Sequence, residues 1–344
     1  GLIDVQLKDI GLDTKLSLVL YCAFTNSEND VICSPATIIN STAIQCQAPP
    51  HTSGEVSVGV SVNGIDVIST DEGKGLALTY VKAPLIDSVS PSFGPVLGGT
   101  VVHLYGNELL PGMWCRFGDR DASATYHTSS HVSCVTPLVE EASTVLLSVS
   151  VNSEHFSATD LMYEYLAEAL ISSVSPSSGP ETGGSRVYVS GVNLGQRGVT
   201  VCEFGSASHR VIAVHKSDTL LYCDAPGHEP GEVSVRLSSN GQQYSKSFGV
   251  FTYVGVHSVY TVSPLSGSTS GGTVVSVKGV GFLESSVLSC KFGEALVPAV
   301  YLSSTEVKCT SPAVVGNTIG EVGVDVSNNG VDFSGSSVAF SYFK

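Results

Sequence analysis

Pro91-Ser-Phe-Gly94-Pro-Val-Leu-Gly98-Gly99-Thr100 returns as Pro176-Ser-Ser-Gly179-Pro-Glu-Thr-Gly183-Gly184-Ser185 and again as Pro264-Leu-Ser-Gly267-Ser-Thr-Ser-Gly271-Gly272-Thr273. Pro91 to Pro176 is 85 residues and Pro176 to Pro264 is 88. Self-similarity at a fixed period marks an array of one module. A period of this length suits a small sandwich domain better than a solenoid turn.

The rest of each module keeps step. Cys115-Arg-Phe117-Gly118 recurs as Cys202-Glu-Phe204-Gly205 and Cys290-Lys-Phe292-Gly293, and a second cysteine follows in Cys134-Val-Thr-Pro137, Cys223-Asp-Ala-Pro226 and Cys309-Thr-Ser-Pro312. Each module closes on aromatic alternation, in Tyr163-Glu-Tyr165, Phe251-Thr-Tyr253 and Phe340-Ser-Tyr342. Cys22-Ala-Phe24, Cys46-Gln-Ala-Pro49 and Leu78-Thr-Tyr80 fall in the same order and locate an earlier module that lacks the opening Pro-Gly-Gly-Thr segment. Val5-Gln-Leu7, running on to Gly11, aligns best with Val102-His-Leu104, so the numbering is expected to begin inside a domain of a longer array. The expected modules are 1–82, 83–166, 167–254 and 255–344, the first incomplete.

Apolar residues alternate after each double glycine: Val102 and Leu104, Val187 and Val189, Val275 and Val277. Period two reads as half-buried strand. Later in the third and fourth modules Glu232-Val-Ser-Val-Arg-Leu leads to Asn240-Gly241, and Glu321-Val-Gly-Val-Asp-Val to Asn329-Gly330. Asn-Gly between alternating runs is a strong hairpin signal, because both turn positions want positive φ. Leu161 to Leu170 is helix-friendly, but it coincides with the closing strand of the other copies. The expected fold is all-β: four tandem sandwiches of two packed sheets. Only ten residues separate Tyr80 from Pro91, Tyr165 from Pro176 and Tyr253 from Pro264; they alternate too and should form the first strand of the next sandwich, giving a stiff rod.

Array phasing pairs Cys22 with Cys46, Cys115 with Cys134, Cys202 with Cys223 and Cys290 with Cys309. In a loop of about twenty residues a disulfide contributes roughly 3 kcal/mol in the chain-entropy account. One cysteine pair per small module places the protein outside the cell, secreted or at the cell surface. Cys33, in an insertion around Asn26 to Ile32, is left over. It is open to an intermolecular bridge, to a partner elsewhere in a longer chain, or to local pairing with Cys22 or Cys46.

The motif Pro-x-x-Gly-x-x-x-Gly-Gly-Thr, a strand, Cys-x-Phe-Gly, Cys-x-x-Pro and a closing Phe-x-Tyr together resemble the IPT/TIG domain. That is an immunoglobulin-like sandwich of plexins, scatter-factor receptors, fibrocystin-type proteins and other surface proteins, found without the cysteines in Rel-type transcription factors. The resemblance covers nearly the whole chain and implies the fold strongly, the function weakly.

Sixteen Lys plus Arg against 31 Asp plus Glu, a net charge of −15, argue against a nucleic-acid surface, which would be basic. Charged residues make up only 14% of the chain, well below the ~25% usual in soluble domains. Such a surface suits lateral packing or glycan cover. No nucleophile motif frames a serine or histidine, and no Cys-x-x-Cys occurs. His127 and His131 are four apart in a strand or loop region, where that spacing is not expected to converge on a metal. Asp119 with Asp121, Glu140 with Glu141 and Asp71 with Glu72 read as loop charges. The chain is therefore expected to be no enzyme and to need no metal or cofactor. No apolar run approaches the ~20 residues of a membrane helix.

Asn40-Ser41-Thr42 is an N-glycosylation sequon. Trp114, the sole tryptophan, precedes an inward Cys115 and so should face out, as should Val101, His103 and Tyr105 on the strand after Gly99. These four are the expected interface residues. The expected partners are copies of the chain, other extracellular or surface proteins, and glycans. Two functions follow: a tandem rod assembling into a fibre, sheath or appendage, or the stalk of a receptor or adhesion ectodomain that presents a separate head.

Overall fold

Period-two alternation becomes strand throughout the described residues. The computed structural model describes residues 1–7, 19–68, 76–195, 197–314 and 319–344 and has no helix among them. Gly11 and the Asp71–Glu72 pair lie outside the described residues. The described residues pack as two compact units, Gly1–Ser92 with Val101–Pro137 and Thr144–Tyr163, and Phe93–Thr100 with Leu138–Ser143 and Glu164–Lys344.

In the second unit the fourth module shows the plan. Ser258–Ser263, Val274–Val280, Glu306–Thr310 and Ala295–Ser303 run side by side, all antiparallel. Residues 295–298 pair instead with Ser289–Phe292, which pairs with Gly320–Ser327 and then Val338–Phe343. One strand thus turns the corner between two sheets, as sandwich corners commonly do. The disulfide Cys290–Cys309 joins the sheets through the core, and the third module has its counterpart in Cys202–Cys223. Beside each bridge two aromatics meet edge to face: Phe292 on Phe340 at 5.4 Å and Phe204 on Phe251 at 5.7 Å.

The opening motif has a packing reason. Ser266–Ser268 lies parallel to Val338–Phe343, and Ser178–Pro180 parallel to Gly249–Val254. These short strands pass directly over the core aromatic. A Cβ on Gly267 would stand 2.9 Å from Phe340 Cζ, and one on Gly179 2.8 Å from Phe251 Cζ, so only glycine fits. The double glycine then hands the chain to the opposite sheet at positive φ (78° and 91° at Gly183 and Gly184), a conformation glycine adopts without a Cβ penalty. Closing tyrosine and Cys-x-x-Pro are also coupled, since the Tyr342 hydroxyl donates to the Pro312 carbonyl at 3.1 Å. In the third module His228 stacks over Tyr253, whose burial pushes the phenol up to about 12.

The first unit holds the first module and most of the second sandwich. Tyr80 donates to the Pro49 carbonyl at 2.8 Å, and the bridges are Cys22–Cys46 and Cys115–Cys134. Strand Leu2–Gln6 pairs Ile3 with Cys46 and Val5 with Ile44, whereas in the second module Val102 pairs with Cys134 and Leu104 with Val132. Ile3 and Val5 therefore stand where Val102 and Leu104 do. The alignment of Val5 with Val102 is two residues out, an error that a period-two pattern conceals because every side chain keeps its face. The insertion around Asn26 lengthens the hairpin of Tyr21–Thr25 with Val31–Asn40: Cys22 pairs with Ser34, while Cys115 pairs with Ala122. Asn26 closes the tip by accepting from the Glu28 and Asp30 amides through its side-chain oxygen. The helix-friendly stretch contains the strand Met162–Leu166, and the linkers form Leu85–Ser90, Leu170–Ser175 and Ser258–Ser263.

Within the second unit a junction recurs. Asn240 and Gln243, on and just after the Asn-Gly turn of the third module, seat on Gly99 and Thr100: Gln243 Nε2 donates to the Gly99 carbonyl at 2.7 Å and Thr100 donates to Gln243 Oε1 at 2.8 Å. The fourth module repeats this on the third, where Asn329 Nδ2 donates to the Ser178 carbonyl at 2.7 Å and Ser185 donates to Asp332. Thr100 and Ser185 are fully buried. The motif that opens one module therefore receives the hairpin of the next.

Gly179→Ala should destabilise the third module by about 1–3 kcal/mol through overpacking against the Ser185 side chain and Phe251, read as a fall in its melting temperature.

Candidate functional site

Val101–Asn107 and His131–Val135 are antiparallel neighbours in the second sandwich, with Arg120–Thr128 on the far side of the latter. Tyr105 pairs with His131 and His103 with Ser133. Ser133 pairs in turn with Thr125. Between Tyr126 and Thr128 the register slips by one residue, and His127 is the extra residue of that β-bulge. A bulge breaks strict alternation and re-aims its side chain. Here it turns His127 toward its neighbours, so that the His127 and His131 rings stack at 4.4 Å.

The expectation that the spacing of His127 and His131 would not converge is therefore corrected. Their four-residue separation spans a hairpin, not a single strand. His103 joins them from the next strand, with His103 Nδ1 3.0 Å from His131 Nε2. One coordinating nitrogen from each of the three rings lies within 4.8 Å of those of the others. Tyr105 stacks on the open side of His131 at 4.7 Å, and His127 Nε2 is 2.8 Å from Ser133 Oγ. His131 titrates below its usual value because burial opposes the charge, with His127 and His103 adding to the effect. Sequence reading picked out His103 for its outward position and noted His127 with His131 without joining the three, since only the strand register and the bulge bring them together.

Val101 and Tyr105 are exposed, at 38% and 44%, and His103 is half-buried. Trp114 is 37% exposed but belongs to a different surface. It alternates with the inward Cys115 on Trp114–Phe117, a strand of the opposite sheet that pairs with residues 120–123 and with Ser143–Ser150. The four candidate interface residues thus form two outward faces, not one.

Cys33 is half-buried, and its thiol points to the Gly64 carbonyl at 3.3 Å within its own module. Cys22 and Cys46 are bonded to each other, which leaves neither for Cys33. Asn40 is exposed at the end of Val31–Asn40, its side-chain oxygen accepting from the Thr42 amide at 2.8 Å and the Thr42 hydroxyl at 3.0 Å. Asp121 is held below the usual carboxylate range by hydrogen bonding to Arg116, while Asp119, Glu140 and Glu141 are exposed. In the second unit a mostly apolar cavity of about 250 Å³ is lined by Leu97, Leu166, Leu237, Tyr244 and Lys246 among others.

Tandem immunoglobulin-like sandwiches, each crossed by a core disulfide, define an extracellular type of modular protein. Residues 14–74, 84–165, 169–253 and 258–342 each match the IPT/TIG domain, and the chain belongs to that family. It is 29% identical over 271 residues to fibrocystin-L of Mus musculus, covering 78% of this chain and 6% of that protein. It is 27% identical over 262 residues to plexin-2 of Caenorhabditis briggsae, covering 70% of this chain and 14% of that one. Among solved structures, the full extracellular region of plexin A4 aligns over 99% of this chain and 36% of its own, at 16% identity and a TM-score of 0.41. The chain thus spans a small fraction of the curated relatives it matches.

Trp114 makes intrinsic fluorescence a reporter of a single surface. Acrylamide should quench it in the free protein, and emission resistant to quenching would show the ring to be covered.

Proposed function

We propose that the chain is a non-enzymatic stalk segment of a cell-surface receptor or adhesion ectodomain, built to hold interaction surfaces away from a membrane. The observation that carries this reading is the four-fold IPT/TIG array with a core disulfide in every module, in a chain related to plexins and fibrocystins. The junction seats on Gly99–Thr100 and Ser178–Ser185 support stiffness, because side-chain hydrogen bonds there replace a flexible linker. The joints fall near 82/83, 166/167 and 254/255.

The fibre reading has no comparable support. Its spare thiol, half-buried, lies against the Gly64 carbonyl of its own module, and the relatives point to ectodomains. The partners on this reading are other extracellular or surface proteins or further copies of the chain, meeting Trp114 or the Val101–Tyr105 face. On this reading Asn40, exposed at the end of its strand, carries an N-glycan that covers that part of the first module.

Two measurements test the proposal. Antibody staining of intact, unpermeabilised cells expressing the full-length protein should label the surface; staining only after permeabilisation would overturn it. Residues 167–254, expressed alone in an oxidising compartment, should fold cooperatively with Cys202 bonded to Cys223.

A further inference from the structure

The fold builds the same three positions in every module, and only the second fills them with imidazole. Where the second has His103, His127 and His131, strand register places Tyr188, Lys216 and Leu220 in the third, Ser276, Leu302 and Glu306 in the fourth, and Asp4, Ile39 and Ala43 in the first. The bulge is present in all four. Neither strand pairing nor the bulge therefore calls for histidine. The trio is a feature of this module's outer face and not of its folding.

We propose that His103, His127 and His131 bind a single zinc ion on the outward face of the second module. Imidazole nitrogen is a preferred ligand of zinc, and three protein ligands with an open fourth position are a recurrent zinc arrangement. Among the described residues the cluster contains no carboxylate, which disfavours calcium and magnesium, both oxygen-seeking. Bonds of 2.0–2.1 Å in a tetrahedron set ligand nitrogens about 3.3 Å apart. His103 Nδ1 and His131 Nε2 already stand 3.0 Å apart, and the remaining separations, up to 4.8 Å, close by small side-chain rotations.

The surroundings orient the rings as second-sphere groups do in metal sites. Ser133 Oγ, hydrogen-bonded to His127 Nε2, and Tyr105, stacked on His131, hold two of the rings in place. The open coordination position belongs to water or to a side chain supplied by a bound protein. A zinc-bridged contact would give this module a partner specificity that its sister modules lack.

Equilibrium dialysis of the full chain against excess zinc, after treatment with a chelator, tests the site. One zinc per chain is expected. His103→Ser and His127→Lys, which install the residues that the fourth and third modules carry at those positions, should each weaken binding by ~10-fold or more. His51→Gln, at a histidine outside the cluster, should leave binding unchanged. Absence of bound zinc in the wild type, or undiminished binding in a His103→Ser, His127→Lys double variant that melts like the wild type, would overturn the proposal.

Discussion

The inter-sheet disulfide is the contact on which each module depends, joined in the second, third and fourth by an edge-to-face aromatic pair. A sandwich of this length buries a modest core for its size. A bridge closing a loop of about twenty residues contributes roughly 3 kcal/mol, and an aromatic pair adds about 0.5–1.5 kcal/mol beyond its buried area. Together they are a large share of the stability of one domain. Cys290 and Phe292 lie on the same strand and point the same way, so the spacing Cys-x-Phe sets bridge and ring side by side. Phe340 meets that ring from the closing strand, and Gly267 is kept small so that its own strand can cross above. Three separate sequence motifs thus converge on one cluster.

The junctions grow from the same construction. Because the double glycine must return the chain to the opposite sheet, it presents a tight turn and a hydroxyl residue at one end of the sandwich. The next module brings its Asn-Gly turn to that end and makes hydrogen bonds to Gly99, Thr100, Ser178 and Ser185, of which Thr100 and Ser185 are buried. Buried polar groups are tolerated where they are satisfied, and here satisfaction comes from the neighbouring module. The hydroxyl in Gly-Gly-Thr and Gly-Gly-Ser is explained by the joint as much as by the turn.

Repetition made the fold readable: four passes through one pattern expose strands, bridges and turns that a single copy would leave ambiguous. Its weakness is that period-two patterns are blind to shifts of two, which is how Val5 came to be set against Val102 when Ile3 holds that place. The surface was less legible. Alternation aimed Trp114 and Tyr105 outward correctly but could not say that they leave from opposite sheets. The histidine cluster was hidden for a different reason. His127 faces His131 only because a bulge interrupts the alternation from which the expectation was drawn. Function follows the same division, since membership of the family fixes the scaffold while the outer faces, which differ between modules, carry whatever is particular to this chain.

The state of the nine cysteines in protein taken from its natural source, alkylated without reduction and counted by mass, bears on scaffold and compartment together. The account predicts that Cys22, Cys46, Cys115, Cys134, Cys202, Cys223, Cys290 and Cys309 resist modification and that Cys33 alone reacts once the chain is denatured. Labelling of most cysteines would contradict both the core bridges and the extracellular setting on which the proposed role rests.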